Sequence, residues 1–346
     1  MRIRSAACLA VLTLAVSGLF PAAAQAGTGL GTGIGTGTGT STSASTGTGT
    51  DTVIDHPVLS LGCFRQTDLP LGQTVTGSVT SGGVVRTYRI HLPANYRSYL
   101  PTPVIMTFGG RGESSTTIEG YSDFDDLNAI AVYPDGLPGE GGQTAWEGAP
   151  YASTADDVLF VSDLLNQLQS TLCVDPLHIY ADGKSNGGGF AALLACQMPG
   201  RIAAFGMVAG AFYPGTSEGC QAGLPVSLVD FHGTADTVIA YDGNPNRLGS
   251  TLPAVMDWVA GWGANDACNS TPISTDIGTD VVEFDYYGCA DRSSVVHYRV
   301  VGGGHTWPGA TIENGPGVTT LTISATKIMW QFFLEHPLNW IGCWSW

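Results

Sequence analysis

Positive charge is scarce in this sequence: 13 lysines and arginines stand against 29 aspartates and glutamates, a net charge of -16 over 346 residues. A surface so short of cations cannot hold a polyanion by neutralising phosphates, so neither nucleic acid nor an anionic membrane surface is an expected partner. Long apolar runs are missing as well. The most apolar stretch, Ala6 to Phe20, falls short of the roughly 20 residues that a membrane helix needs, and a soluble product is expected. The eight cysteines form no Cys-x-x-Cys pair and no Cys/His cluster with zinc-ligand spacing. That turns the expectation from a metal site to disulfides, and no metal or organic cofactor is expected.

What is present begins with a leader. Arg2 and Arg4, the apolar run and then Ala24-Gln25-Ala26 have the layout of a cleavable secretory signal over residues 1–26, so the mature protein is expected outside the cell. Residues 27–54 are almost only Gly, Thr and Ser, a composition that buries too little apolar surface to order itself and reads as a flexible spacer. Residues 55–346 suit one large α/β domain. Cys8 leaves with the signal, and Cys63, Cys173, Cys196, Cys220, Cys268, Cys289 and Cys343 remain in an oxidising setting. Seven is odd, so one thiol should stay free. Proximity in sequence favours Cys268 with Cys289. Asn269-Ser270-Thr271 is a glycosylation sequon with Pro272 behind it.

Past the spacer, short β-like apolar runs alternate with helical periods, as expected when parallel strands are joined by crossover helices. Strands are expected over Val84 to Leu92, Val104 to Phe108, Ile130 to Tyr133, His178 to Tyr180, Ala203 to Val208, Val226 to Phe231 and Val295 to Val301. Val158, Val161, Leu165, Leu168 and Leu172 recur at three- and four-residue steps, which predicts a helix over Asp156 to Leu172 with its acidic start at the positive end of the dipole. Further helices are expected over Asn186 to Gln197, Leu252 to Trp262 and Thr322 to Glu335.

Gly183-Lys184-Ser185-Asn186-Gly187 matches Gly-x-Ser-x-Gly, in which small residues flank a serine held on a sharp strand-to-helix turn. With 48 glycines in the chain, roughly one such match arises by chance, and a second does exist at Gly215-Thr216-Ser217-Glu218-Gly219. Context separates the two. Ser185 follows the strand-like His178-Ile179-Tyr180 and precedes a glycine-rich helix start, whereas Ser217 lies in a turn-rich stretch between Pro214 and Cys220.

A serine hydroxyl becomes a useful nucleophile only when an imidazole takes its proton and a carboxylate fixes the tautomer of that imidazole. In a Gly-x-Ser-x-Gly hydrolase the acid and then the histidine follow the serine along the chain. His297 falls inside an expected strand and His336 ends the last expected helix. His305, in Gly302-Gly303-Gly304-His305-Thr306-Trp307-Pro308-Gly309, sits in a loop between a strand and the final helix and is the expected base. Asp236, five residues beyond the strand end at Phe231, is the expected acid, with Asp242 as its rival; His232 is expected to pack or hydrogen-bond in the same loop. The oxyanion of the tetrahedral intermediate needs two preplaced donors. The backbone amides of Asn186 and of Arg111, in Phe108-Gly109-Gly110-Arg111-Gly112, are the candidates.

Four blocks carry a likeness to a known family. They are Trp146-Glu147-Gly148-Ala149-Pro150 leading to Asp156-Asp157-Val158, Tyr180 through Phe190, Phe231 through Asp236, and Gly303 through Gly309. Together they resemble the fungal secreted feruloyl esterases and acetyl xylan esterases of the first carbohydrate esterase family, which also resemble polyhydroxybutyrate depolymerases. The likeness spans roughly Leu61 to Leu338 and departs at Gly109, where relatives often have a histidine. It implies an α/β-hydrolase fold, the triad Ser185, Asp236 and His305, and as substrate a hydroxycinnamoyl ester of plant cell-wall polysaccharide or a small aromatic ester. Acetyl xylan and polyhydroxybutyrate are the alternative substrates, and a non-catalytic wall-binding protein is the rival of another class. An aromatic acyl group needs rings beside the serine, for which Trp146, Tyr151 and Trp307 are the candidates.

Overall fold

The computed structural model describes residues 52–338, apart from residue 222 and residues 244–250. The expected signal, nearly all of the expected spacer, Cys8 and Cys343 lie outside the described residues. Val53 packs against the core and the Ile54 amide donates to Ser162 Oγ at 2.9 Å.

In chain order the elements are β1 (Thr74–Ser81), β2 (Val84–His91), β3 (Thr102–Phe108), α1 (Ser115–Ser122), β4 (Ile130–Pro134), β5 (Leu137–Pro138), β6 (Thr144–Ala145) and α2 (Asp157–Thr171). There follow β7 (Val174–Lys184), α3 (Asn186–Gln197), β8 (Ala204–Val208), β9 (Ser227–Gly233), α4 (Val255–Asn265), β10 (Ile273–Ile277), β11 (Val281–Tyr286), β12 (Val295–Val300) and α5 (Ala325–Glu335). Ten of the strands form one sheet in the order β1-β2-β4-β3-β7-β8-β9-β12-β11-β10. The six central strands, β4 to β12 in that order, run parallel, and antiparallel hairpins close both edges.

Burial explains which strands are central. Every residue of β4, β8 and β9 is buried, because helices cover both faces of a parallel sheet and its strands become continuously apolar. β2 alternates buried and half-buried or exposed residues, as suits a strand near an edge. The expected strand at His178 to Tyr180 is the middle of the longer β7, which also carries Asp175, Pro176 and Asp182. A register shift between Thr102 and Val104 accommodates the irregular start, and Asp182, fully buried, accepts from Thr107 Oγ1 at 3.1 Å. The α2 start behaves as expected, with Asp156 accepting from the Leu159 amide at 2.7 Å as N-cap.

The strand order places the site. From β3 the chain steps outward to β4 and then returns past β3 to β7 and onward to β8, so connections diverge between β3 and β7. At such a switch the loops at the carboxyl ends part and leave a crevice. Disulfides Cys63–Cys173, Cys196–Cys220 and Cys268–Cys289 brace the periphery, the last being the expected pair. Among the described residues, no helix is long and apolar enough to cross a membrane.

Candidate active site

Ser185 stands between β7 and α3 with φ 56° and ψ -120°, a left-handed conformation that a residue with a side chain adopts only under constraint. The constraint is visible. Its amide donates to Val208 O at 2.9 Å, and its carbonyl accepts from Gly189 and Ala211 at 3.0 and 2.9 Å. The two motif glycines are there because the turn leaves no room beside it. A Cβ on Gly183 would lie 2.5 Å from the Gly187 carbonyl carbon, and one on Gly187 would lie 2.0 Å from Phe108 O. The geometry is that of a strand-turn-helix elbow, and it leaves the serine half-buried rather than sealed in. Ser217, by contrast, is exposed at the end of a single helical turn and lines a separate cavity of about 280 Å³ with Cys196, Trp258 and Trp262.

Asp236 and His305 meet as the sequence suggests. His305 Nδ1–H donates to Asp236 Oδ2 at 2.7 Å, and the other carboxylate oxygen accepts from the amides of Val238 and Ile239 at 2.7 and 2.8 Å. His232 lies under the pair, donating through Nε2 to Ile239 O at 2.9 Å with Asp236 Oδ2 at 3.3 Å, so it packs in the loop as expected. Burial pushes the Asp236 carboxyl up, but the hydrogen bonds from His232 and His305 outweigh it and hold the group well below the usual carboxylate range. Burial lowers the His305 pKa, Asp236 opposes that, and the nearby Lys184 charge lowers it further. Asp242, the rival acid, is exposed. His297 belongs to a separate buried pair, with Nδ1 2.7 Å from Asp230 and Tyr241 Oη 2.8 Å from Nε2.

Because β7, β9 and β12 are parallel, Ser185, Asp236 and His305 all follow the carboxyl ends of their strands and share one edge of the sheet. A direct link ties the serine strand to the histidine loop: Lys184 Nζ donates to Asn314 O, and Asn314 Oδ1 accepts from the Trp307 amide at 2.5 Å.

The oxyanion candidates Asn186 and Arg111 lie at the start of α3 and in the loop after β3. Asn186 opens α3, where a first-turn amide has no partner within the helix and faces outward with the positive end of the dipole. Its side chain is committed elsewhere, accepting from the Trp146 amide at 2.7 Å. Gly110 lies against Ser185, since a Cβ there would be 3.2 Å from Ser185 Cβ. Its own amide is taken by Glu113 Oε2 at 2.8 Å, and its carbonyl accepts from the Glu113 amide at 3.0 Å. In a trans peptide C=O and N–H point opposite ways, so the Arg111 amide is directed away from Glu113.

The aromatic candidates are corrected. Trp146 is 2% exposed and Trp307 fully buried. The Trp146 indole packs on Phe108, Phe190 and Phe160 and donates to Gly109 O at 2.9 Å. Trp307 packs on Tyr121 and Phe124 and donates to Thr326 Oγ1 at 3.0 Å. Neither presents a face to a ligand, because both fill the layer beneath the catalytic loops. Tyr151 is buried too, edge-on to Tyr213 with the Arg111 guanidinium over its ring, in a cluster with Ala211, Ile239 and Leu252. Trp146→Ala is accordingly expected to lower unfolding free energy by about 3–5 kcal/mol, read by denaturant melting, and not to act as a loss of substrate affinity alone. Asn269 is exposed, with its side-chain nitrogen donating to Tyr287 O at 3.0 Å.

Sequence reasoning missed Glu113, Tyr121 and Asn314. Glu113 and Lys184 are 71 residues apart and no periodicity links them; only the place of Lys184 inside the motif could have drawn notice.

No family profile matches the chain. Over 122 residues it is 36% identical to feruloyl esterase B of Piromyces equi, covering 35% of this chain and 23% of that protein. Over 195 residues it is 30% identical to feruloyl esterase D of Neurospora crassa, covering 52% of this chain and 62% of that one. The chain thus spans less than two thirds of either relative. Among solved structures, acetyl xylan esterase from Aspergillus awamori superposes with a TM-score of 0.53 at 16% identity, covering 75% of this chain and 99% of that one. The chain is thus similar in sequence to feruloyl esterases over part of its length, and it has an α/β-hydrolase fold. In this α/β-hydrolase fold Ser185, Asp236 and His305 lie beyond the carboxyl ends of β7, β9 and β12.

Proposed function

We propose that the protein is a secreted serine esterase that hydrolyses hydroxycinnamoyl esters of plant cell-wall polysaccharides, or small aromatic esters of the same acids, through an acyl-enzyme. The observation that carries this reading is the strained Ser185 elbow on the same sheet edge as a buried His305–Asp236 pair. In the reaction Ser185 Oγ attacks the ester carbonyl while His305 takes its proton and passes it to the leaving alcohol. Asp236 holds the imidazole in the required tautomer, the Asn186 and Arg111 amides receive the oxyanion, and water then releases the acid by the same route. Secretion accords with the three disulfides, since such bonds persist in oxidising compartments, and with the expected leader over residues 1–26.

A second reading, acetyl xylan esterase, is favoured by one observation: burial of Trp146 and Trp307 removes two of the rings expected to hold an aromatic acyl group. Hydrolysis of methyl ferulate, acetylated xylan and a polyhydroxybutyrate film, compared side by side, tests the choice. Ferulate release is expected to dominate; acetate without ferulate would overturn it in favour of the second reading.

The base must be neutral to accept a proton, and the His305 pKa lies below its ordinary value because burial disfavours the cation. The acid limb of kcat/KM should therefore fall below the free imidazole value of about 6.5. A limb at or above that value would contradict the assignment of His305.

A further inference from the structure

Beside the triad, one carboxylate touches three separate parts of the site. Glu113 follows the oxyanion loop and is four-fifths buried. Its Oε2 accepts from the Gly110 amide at 2.8 Å and from Tyr121 Oη, on α1, at 2.8 Å. Its Oε1 lies 3.4 Å from Lys184 Nζ, and Lys184, 2% exposed, directly precedes the nucleophile. The Lys184 ammonium reaches on to Asn314 O, whose residue holds the Trp307 amide two positions beyond His305. The Glu113 amide also takes the Gly110 carbonyl. Glu113 therefore bonds both peptide planes at Gly110, the 109–110 plane being held also by the Trp146 indole at Gly109 O, and it is ion-paired to the strand that delivers the serine.

Resting on the serine-esterase reading, we propose that Glu113 is a positioning residue that fixes the oxyanion loop against the nucleophile, with Lys184 coupling that loop to the histidine loop. Geometry makes the assignment. Without the carboxylate, the Gly110 amide loses its acceptor, and the 110–111 peptide is left with only the Glu113 backbone amide on its carbonyl, so the Arg111 amide is less firmly directed at the place where charge develops. Glycine at 109 and 110 leaves the backbone of the loop permissive, so its direction depends on outside contacts: the Trp146 indole at Gly109 O and Glu113 at Gly110. An arrangement of this kind acts on the transition state and leaves ground-state binding nearly untouched.

The second consequence concerns protons. His305 faces Asp236 and His232 from the β9 side and Lys184 from β7. Replacing Glu113 by a neutral group leaves the Lys184 cation unbalanced. The base then becomes harder to protonate, and the acid limb of the rate moves to lower pH.

The test uses the full chain, p-nitrophenyl acetate as a generic ester, and Glu113→Ala and Glu113→Gln beside Ser185→Ala. Loss of an oxyanion donor costs roughly 10²–10³ in kcat. Glu113→Ala is therefore expected to lose about a hundredfold in kcat with KM within threefold. Glu113→Gln, which keeps an acceptor for Gly110, should recover part of that loss while shifting the acid limb downward. If the alanine variant does not fold, the glutamine variant carries the test through its pH profile and its smaller kcat deficit. A folded variant with kcat within threefold of the parent, or a loss confined to KM, would overturn the proposal. Survival of activity in Ser185→Ala would instead reject the esterase mechanism beneath it, so the two failures are distinguishable.

Discussion

Ser185→Ala is expected to reduce turnover on the order of a million-fold, the size of loss that follows when a nucleophile acting as one unit with its base is removed. Folding should survive, because the links that hold the elbow run through the Ser185 backbone: its amide to Val208 and its carbonyl from Gly189 and Ala211. Alanine keeps all three. The matched control is Ser217→Ala, which removes the serine of the other Gly-x-Ser-x-Gly match, lies exposed in a short turn, and should leave kcat unchanged. A fluorophosphonate probe adds an independent reading, since it labels an activated hydroxyl and should label the parent and the Ser217 variant but not Ser185→Ala. Equal losses in both variants, or labelling that persists in Ser185→Ala, would reject Ser185 as nucleophile, whereas a parent protein that takes no label would revive the non-catalytic wall-binding alternative.

How much of this was legible in the sequence depends on whether the signal was local. The buried central strands were readable because both faces are covered and the apolar run is continuous; β4 and β8 fall within a residue of their expected limits. The α3 limits match, fixed by the glycine-rich start and the apolar stretch behind it. α4 and α5 each begin three residues later than expected, and before α5 the reason is plain: Thr322 bonds Asp280 while Ser324 caps the helix. β1 and β10 were missed because one is interrupted by Gly77 amid threonines and the other is almost wholly exposed, so neither shows a strong two-residue apolar period. α1 was missed because its one strong local cue is the Ser114 cap.

The proposed triad was readable for a different reason. Each member sits directly beyond a strand, and strand ends are marked by where apolar runs stop. Loop-to-loop contacts carry no such mark. The Glu113–Lys184–Asn314 bridge joins two loops through the last residue of β7, and only folding brings them together. Aromatic residues failed in the opposite way: Trp146 and Trp307 lie in the right loops, but a loop position does not say whether the ring turns outward or down. Both turn down, where their indole N–H groups find Gly109 O and Thr326 Oγ1.

Asp236→Asn should cut kcat about ten-thousandfold while leaving the loop intact, and the reason lies in which oxygen does what. Oδ1 accepts from the Val238 and Ile239 amides, while Oδ2 accepts from His305 Nδ1–H and lies beside His232 Nε2. Asparagine has one oxygen and one amino group. The oxygen will stay with the two backbone amides, since turning it away would leave both donors unpaired in a buried turn. The amino group then faces His305, whose Nδ1 must become the acceptor, and the ring proton moves to Nε2. An imidazole protonated there cannot take the proton of Ser185, so chemistry stops although the fold and the substrate affinity remain. Asp242→Asn serves as the companion, because the rival carboxylate is exposed and its loss should leave kcat within twofold. Steady-state kinetics with melting curves on both variants decide the matter: a kcat in Asp236→Asn above about a tenth of the parent value, or a comparable fall in Asp242→Asn, would mean that the acid has been assigned to the wrong loop residue.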